Sequence, residues 1–146
     1  MLFALLAAVL LTAVAFHLRF RRIPDWLTYP AMAVFLGARA FTAGVGDPES
    51  GLISGAIGLA GALAWFGAFA WFKKGLGWGD VKLAGATGAA LGWPLTMTAV
   101  ACISLVGALQ AVVSVMWHDT AEKKREGLPY AVAIALGAAW AIWWEH

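Results

Sequence analysis

Residues 83–117 read LAGATGAALGWPLTMTAVACISLVGALQAVVSVMW and contain no charged side chain. One continuous helix of this length would measure about 50 Å, whereas the hydrocarbon core of a bilayer is about 30 Å thick. The stretch must therefore turn back once. The break falls at Gly92-Trp93-Pro94, because glycine ends helices readily and proline disfavours helix at the residue before it. The sequence predicts a short fourth membrane span before this break and a longer fifth span after it.

Other parts of the chain also have the length and composition of membrane spans. The uncharged stretches are Met1–Phe16, Gly51–Phe72 and Gly127–Trp144; a second span runs from Pro24-Asp25 to about Gly44, and the sixth from about Leu128 to Trp144. The chain is 62% hydrophobic and 12% charged, with a mean hydropathy of +0.80, which excludes a soluble globular protein. The predicted fold is an all-α membrane protein with six transmembrane helices, in a single polytopic domain over residues 1–146.

Lysine and arginine are concentrated in three of the predicted loops. The turns after spans one, three and five hold nine of the ten, namely Arg19, Arg21, Arg22, Lys73, Lys74, Lys82, Lys123, Lys124 and Arg125. By the positive-inside rule these loops are cytoplasmic, so both termini lie on the non-cytoplasmic side. The lipid bilayer accounts for the basic clusters, and with a net charge of +2 no nucleic-acid partner is expected.

The polar residues that could take part in catalysis or binding lie at the predicted cytoplasmic ends of the spans. One cluster is residues 17–28, HLRFRRIPDWLT, and another is residues 75–83, GLGWGDVKL. Asp80 follows a run of alternating glycines, which leaves the backbone bare enough for a substrate chain to lie against it. The structural alternatives are simpler: Asp80 and Asp25 suit helix caps, His17 an interfacial polar tip, and Lys82 a positive-inside anchor. The single cysteine, Cys102, lies in an apolar run, so neither a disulfide within the chain nor a thiolate zinc site is expected.

Two motifs in this chain resemble those of a known family. Gly77-Trp78-Gly79-Asp80 resembles the GxGD motif of intramembrane aspartic proteases, and its Val-Lys-Leu continuation is most similar to that of the type IV prepilin peptidases. Residues 19–28, RFRRIPDWLT, resemble the first cytoplasmic motif of that family, in which an aspartate precedes basic residues and then Ile-Pro-Asn or Ile-Pro-Asp. Six spans are that family's layout. The small size and the lack of a cysteine cluster are similar to its short members, which have no zinc-binding methyltransferase extension.

The resemblance implies a membrane aspartic endopeptidase in the inner (cytoplasmic) membrane of a bacterium or archaeon. Its substrate would be a prepilin or pseudopilin-like membrane protein, cut at the cytoplasmic face after a short basic leader. In this family two carboxylates share a proton and activate a water, so no metal and no cofactor is expected. Asp80 matches the second catalytic aspartate, and Gly77, Gly79 and Lys82 are expected to bind substrate.

His17 stands where the family has its first catalytic aspartate. Three interpretations are open at this point. Asp25 replaces the missing carboxylate; or His17 and Asp80 form an acid–base pair, with Asp80 as base and His17 as proton donor; or the protein binds prepilins without cutting them.

A small membrane transporter is an alternative from a different class. Transport would call for an ionisable residue near the middle of the bilayer. Arg39 is the only charge inside a predicted span, and it lies close to the span's end, where its side chain can snorkel to the interface.

Overall fold

The computed structural model describes residues 2–20, 23–47, 49–72, 76–117 and 130–145. These ranges contain six helices: α1 (Leu2–Phe20), α2 (Asp25–Ala43), α3 (Leu52–Phe72), α4 (Trp78–Leu91), α5 (Leu95–Trp117) and α6 (Tyr130–Glu145). No strand occurs in the described ranges. The predicted all-helical fold with six helices is confirmed.

Three of the helices are long and apolar enough to cross a bilayer. Their apolar segments are Phe3–Phe20 in α1, Leu52–Phe72 in α3 and Leu95–Val113 in α5, and α6 is a shorter apolar helix. Large apolar side chains such as Leu11 and Leu105 are exposed on the outside of the bundle, which suits contact with lipid. The spanning of α2, α4 and α6 and the non-cytoplasmic location of both termini remain predictions.

The helix boundaries follow the local sequence. α2 begins directly after Pro24, whose backbone is extended, and α4 ends at Gly92, whose φ of 71° lies in the left-handed region that favours glycine. The predicted break at Gly92-Trp93-Pro94 is therefore confirmed. α1 runs four residues past the predicted end at Phe16, because no helix breaker interrupts it before Phe20. As a result His17 lies in the last turn of α1 and not beyond the helix.

α4 occupies the centre of the bundle. Eleven of its 14 residues are buried, and it packs against all five other helices. The approach of α3 is especially close at Gly58 and Gly88, where a Cβ on either glycine would meet the backbone of the other. Small residues permit such close packing of helices within lipid. The bundle thus holds the short helix that carries Asp80 in a fixed place among its neighbours.

Candidate active site

His17 and Asp80 lie side by side at one end of the bundle. Asp80 belongs to the first turn of α4 and His17 to the last turn of α1. Nδ1 of His17 lies 3.7 Å from Oδ1 of Asp80, and the two side chains are only 13% and 4% exposed. This separation exceeds a hydrogen bond, as is common for catalytic groups in sites without substrate. The structure therefore brings together the two positions that the sequence motifs single out.

The Asp80 carboxyl group also serves its own helix. Gly77 is the residue that caps α4, and the Asp80 N–H donates to the Gly77 carbonyl at 3.0 Å. The Gly77 backbone N–H in turn hydrogen-bonds to the Asp80 carboxylate, which is the contact that the third residue of a helix makes in a capping box. Oδ1, which faces His17, is buried and accepts no hydrogen bond from the described residues. Because leaving a buried acceptor unsatisfied is costly, capping alone does not account for the placement of this group.

Asp25 is engaged by a lysine. Its Oδ1 lies 2.7 Å from Nζ of Lys82, and that ammonium group lies 4.8 Å from the centre of the Tyr29 ring. Asp25 is 61% exposed, in contrast to the buried Asp80. The structure thus uses Asp25 to tie the start of α2 to α4. Its role as a substitute catalytic carboxylate stays a prediction.

The comparison with known families covers all of these positions. Residues 4–112 match the model of the type IV leader peptidase family. The chain belongs to the type IV leader peptidase family. It matches no curated protein and no solved structure. The resemblance drawn from the two motifs is confirmed, and the apolar helices together with this membership make the chain a membrane-embedded protein.

In this leader-peptidase-family chain, the two glycines before Asp80 have different surroundings. Gly77 has an extended backbone, and a Cβ there would lie 3.4 Å from Oδ2 of Asp80. Gly79 lies inside the first turn of α4, and a Cβ there would lie 3.2 Å from Cβ of Ile23. The bare side of Gly79 is therefore covered by Ile23, whereas Gly77 borders the carboxyl group. Substrate binding by Gly77, Gly79 and Lys82 stays a prediction.

Tyr130 is a polar residue of this site that the sequence analysis did not find. It is the first residue of α6, it is partly buried, and its phenol is close enough to Asp80 for the two groups to interact electrostatically. Its ring packs over Gly107 of α5, where a Cβ would lie 2.6 Å from a ring carbon. Only tertiary contacts place Tyr130 near Asp80, and no motif in the sequence marks it.

The described part of the chain offers no set of ligands for a metal ion. There, no three His, Cys, Asp or Glu side chains come together as a group that could hold a metal ion. His17 and Asp80 are a pair of groups that can exchange protons. The chemistry available to this arrangement is therefore acid–base catalysis.

Proposed function

We propose that the protein is a membrane endopeptidase of the prepilin leader peptidase type, in which His17 and Asp80 form the acid–base pair. The observation that carries this proposal is the 3.7 Å separation between the partly buried imidazole of His17 and the buried carboxylate of Asp80, whose Oδ1 has no hydrogen-bond donor in the described ranges. Both residues lie within the part of the chain that matches the family. Perturbed titratable groups held together in a protected place are typical of catalytic sites.

The pair can hydrolyse a peptide bond with balanced proton transfers. The Asp80 carboxylate takes a proton from a water as the water oxygen bonds to the scissile carbonyl carbon. The His17 imidazolium then gives a proton to the leaving nitrogen as the carbon–nitrogen bond breaks. The products are a carboxylic acid and an amine, and transfer of the proton from Asp80 to His17 restores the starting state. His17, at the position of the family's first catalytic aspartate, takes the role of the acid, since imidazolium donates protons near neutral pH.

The proposed substrate is a prepilin or pseudopilin-like protein with a short basic leader followed by an apolar helix. An apolar stem would reach the pair from the lipid, and cleavage would release the leader at the cytoplasmic face. Support comes from the membership in a leader peptidase family and from the position of Asp80 at the end of a helix in an apolar bundle.

Cleavage by purified protein tests the proposal. In detergent, the wild-type protein is expected to shorten a prepilin by its leader, as read by mass spectrometry of both products. Asp80→Asn and His17→Gln each remove one partner and should lower the rate by at least about a hundredfold, the scale of general acid–base catalysis. Asp47→Asn removes an exposed carboxylate in the loop between α2 and α3 and serves as the matched control, with unchanged cleavage.

The alternative reading, a family member that binds prepilins without cutting them, predicts a different outcome. It is favoured by the histidine at the position of the first catalytic aspartate. In that case the wild-type protein would capture the prepilin without product, and His17→Asp would create cleavage by restoring two carboxylates. Such a result would overturn the proposed endopeptidase activity of the wild-type chain.

A further inference from the structure

Arg39 makes a set of buried contacts that the acid–base chemistry does not use. Its side chain is in α2 and is 7% exposed. Nε donates to the carbonyl of Ala90 at 3.3 Å, and Nη2 donates to the carbonyls of Ala90 and Leu91 at 3.0 and 2.5 Å. Nη1 donates to the carbonyl of Glu49 at 3.4 Å. The guanidinium group is therefore hydrogen-bonded to the carbonyls of the last two residues of α4. It lies inside the protein, whereas a snorkelling side chain would point outward to the interface.

Two glycines make room for this side chain. A Cβ on Gly55 of α3 would lie 2.8 Å from Cδ of Arg39, and a Cβ on Gly92 would lie 2.5 Å from its guanidinium nitrogens. Gly92 also has the positive φ that ends α4. Elements that are distant in the sequence thus form one cradle for Arg39. The space left by these glycines and the hydrogen bonds to the backbone together hold the Arg39 side chain in one position.

The carbonyl groups at the end of α4 are well suited to bind a guanidinium group. The last carbonyls of a helix have no partner within the helix, and in a bundle surrounded by lipid they have little access to water. A cation at this end also complements the negative end of the helix dipole. The planar guanidinium group reaches two carbonyls at once, which an ammonium group does less well. Arg39 therefore fixes the end of α4 through several hydrogen bonds from one side chain.

Fixing one end of α4 fixes the other end as well. Asp80 precedes Leu91 by 11 residues, or about 16 Å of helix, and a short helix transmits an axial shift along its length. The middle of α4 consists mainly of alanine and glycine, which offer shallow ridges for interdigitation with neighbours. Polar contacts at the ends of α4 therefore do more to fix its position along the helix axis than they would in a helix with large side chains.

We propose that Arg39 is a positioning residue that sets the axial position of α4 and thereby the distance between Asp80 and His17. Arg39 acts through the helix from the far end of the bundle. Displacing a catalytic group by about 1 Å costs up to about a hundredfold in rate. The kinetic consequence rests on the proposed endopeptidase function, whereas the geometric consequence does not.

Histidine-selective ¹⁵N NMR in detergent measures the geometry without any need for activity. The chain has three histidines, and His17→Gln identifies the His17 resonance by its loss. Asp80→Asn gives the position of that resonance without the facing carboxylate. At one fixed pH, Arg39→Met should move the His17 resonance most of the way to its position in Asp80→Asn, and Arg39→Lys should leave it closer to wild type.

Ser54→Ala is the matched control for lost packing. Ser54 is fully buried at the same end of the bundle, and its hydroxyl lies within hydrogen-bond distance of the carbonyl oxygens of Glu49 and Trp93 and accepts from the Trp93 N–H. Its removal should lower the unfolding temperature while leaving the His17 resonance in place. If wild type cleaves prepilin, Arg39→Met should lower kcat about tenfold or more with little change in KM. If wild type does not cleave, the proposed function fails and the resonance still tests Arg39.

The inference fails if Arg39→Met folds and its His17 resonance matches wild type, since Arg39 then only stabilises the bundle. Arg39→Gln is the second neutral variant, and the same criterion applies to it. If neither neutral variant folds, Arg39 is required for folding as a whole and the positioning role is likewise overturned. A Ser54→Ala resonance that moves as far as that of Arg39→Met would also contradict a specific role for Arg39.

Discussion

The Asp80 carboxyl group has two contacts, one with the start of its own helix and one with His17. The carboxylate hydrogen-bonds to the Gly77 N–H at the start of α4, while Oδ1 faces His17. The capping contact directs the side chain, and it leaves Oδ1 facing His17 without a hydrogen bond from the described residues. The capping interpretation and the catalytic interpretation of Asp80 are therefore compatible.

Asp25 and Lys82 supply a prediction that separates two interpretations of the site. If Asp25 only ties α2 to Lys82, then Asp25→Asn and Lys82→Met remove the same ion pair and should have the same small effect on kcat. The pair is partly exposed, so screening by water keeps its contribution to stability low. The measurement is kcat at saturating prepilin, alongside unfolding in detergent. Loss of cleavage in Asp25→Asn but not in Lys82→Met would make Asp25 the missing carboxylate.

Motifs predicted which residues of the site matter, but only the fold could show their partners. Two motifs pointed to positions 17 and 80, and the packing of α1 against α4 in the structure brings the two side chains together. Arg39 was expected to snorkel because a lone charge near a span end is usually drawn to water. Three of its four hydrogen bonds in the described residues go to carbonyl groups about 50 residues away in the sequence. Backbone carbonyls leave no signature in a sequence, and Tyr130 was missed for a similar reason.

At the scale of helices, the α3–α4 contact decides how α4 is held. Gly58 and Gly88 bring the two backbones into contact, and Oγ1 of Thr96 lies in the same place, 3.2 Å from the Gly88 carbonyl oxygen and 2.7 Å from that of Gly92. A side chain at either glycine would push the helices apart. Close packing here replaces the large side chains that α4 lacks.

Gly58→Ala tests this contact against an open site on the same helix. Its Cβ would lie 2.6 Å from Oγ1 of Thr96 and would also meet the Gly88 carbonyl, so we expect a loss of about 1–3 kcal/mol in the free energy of unfolding. A Cβ at Gly67, also in α3, would meet nothing within 4 Å. Gly67→Ala should therefore gain about 0.5–1 kcal/mol from helix propensity. Denaturant titration in detergent measures both, and equal effects of the two substitutions would contradict the close α3–α4 contact.

The number of helices and their main breaks could be predicted because uncharged length and the Gly92-Trp93-Pro94 turn are local properties. The end of α1 was placed too early at Phe16. The prediction treated His17 and Arg19 as the edge of a span, whereas a helix continues through polar residues until something breaks it. Charge marks where a chain leaves lipid, and hydrogen bonding marks where a helix ends. The difference of one turn is what places His17 on α1 opposite Asp80.

The bundle has a mostly apolar core with a few buried polar residues, and it also exposes many large apolar side chains on its outside. The buried polar residues are Thr28, Arg39, Ser54, Asp80, Thr87 and Thr96. Asp80 and Thr28 lie toward one end of α4, and Arg39, Ser54 and Thr96 lie toward the other. Thr87 lies within α4 and donates to the carbonyl of Leu83. This arrangement suits a bundle surrounded by lipid, in which buried side-chain hydroxyls and charges hydrogen-bond to the backbone or pair with each other. The membrane orientation of the two ends depends on the distribution of lysine and arginine.

That distribution predicts the cytoplasmic side, and cysteine labelling tests it. Val45 is exposed in the loop between α2 and α3, and Lys124 lies in the basic segment between α5 and α6. In a Cys102→Ala background, Val45→Cys should react with a membrane-impermeant maleimide in intact cells. Lys124→Cys should react only after the membrane is opened, because loops rich in lysine and arginine stay on the cytoplasmic side. The reverse pattern would place Asp80 and His17 on the outer face, where a leader that remains in the cytoplasm could not reach them.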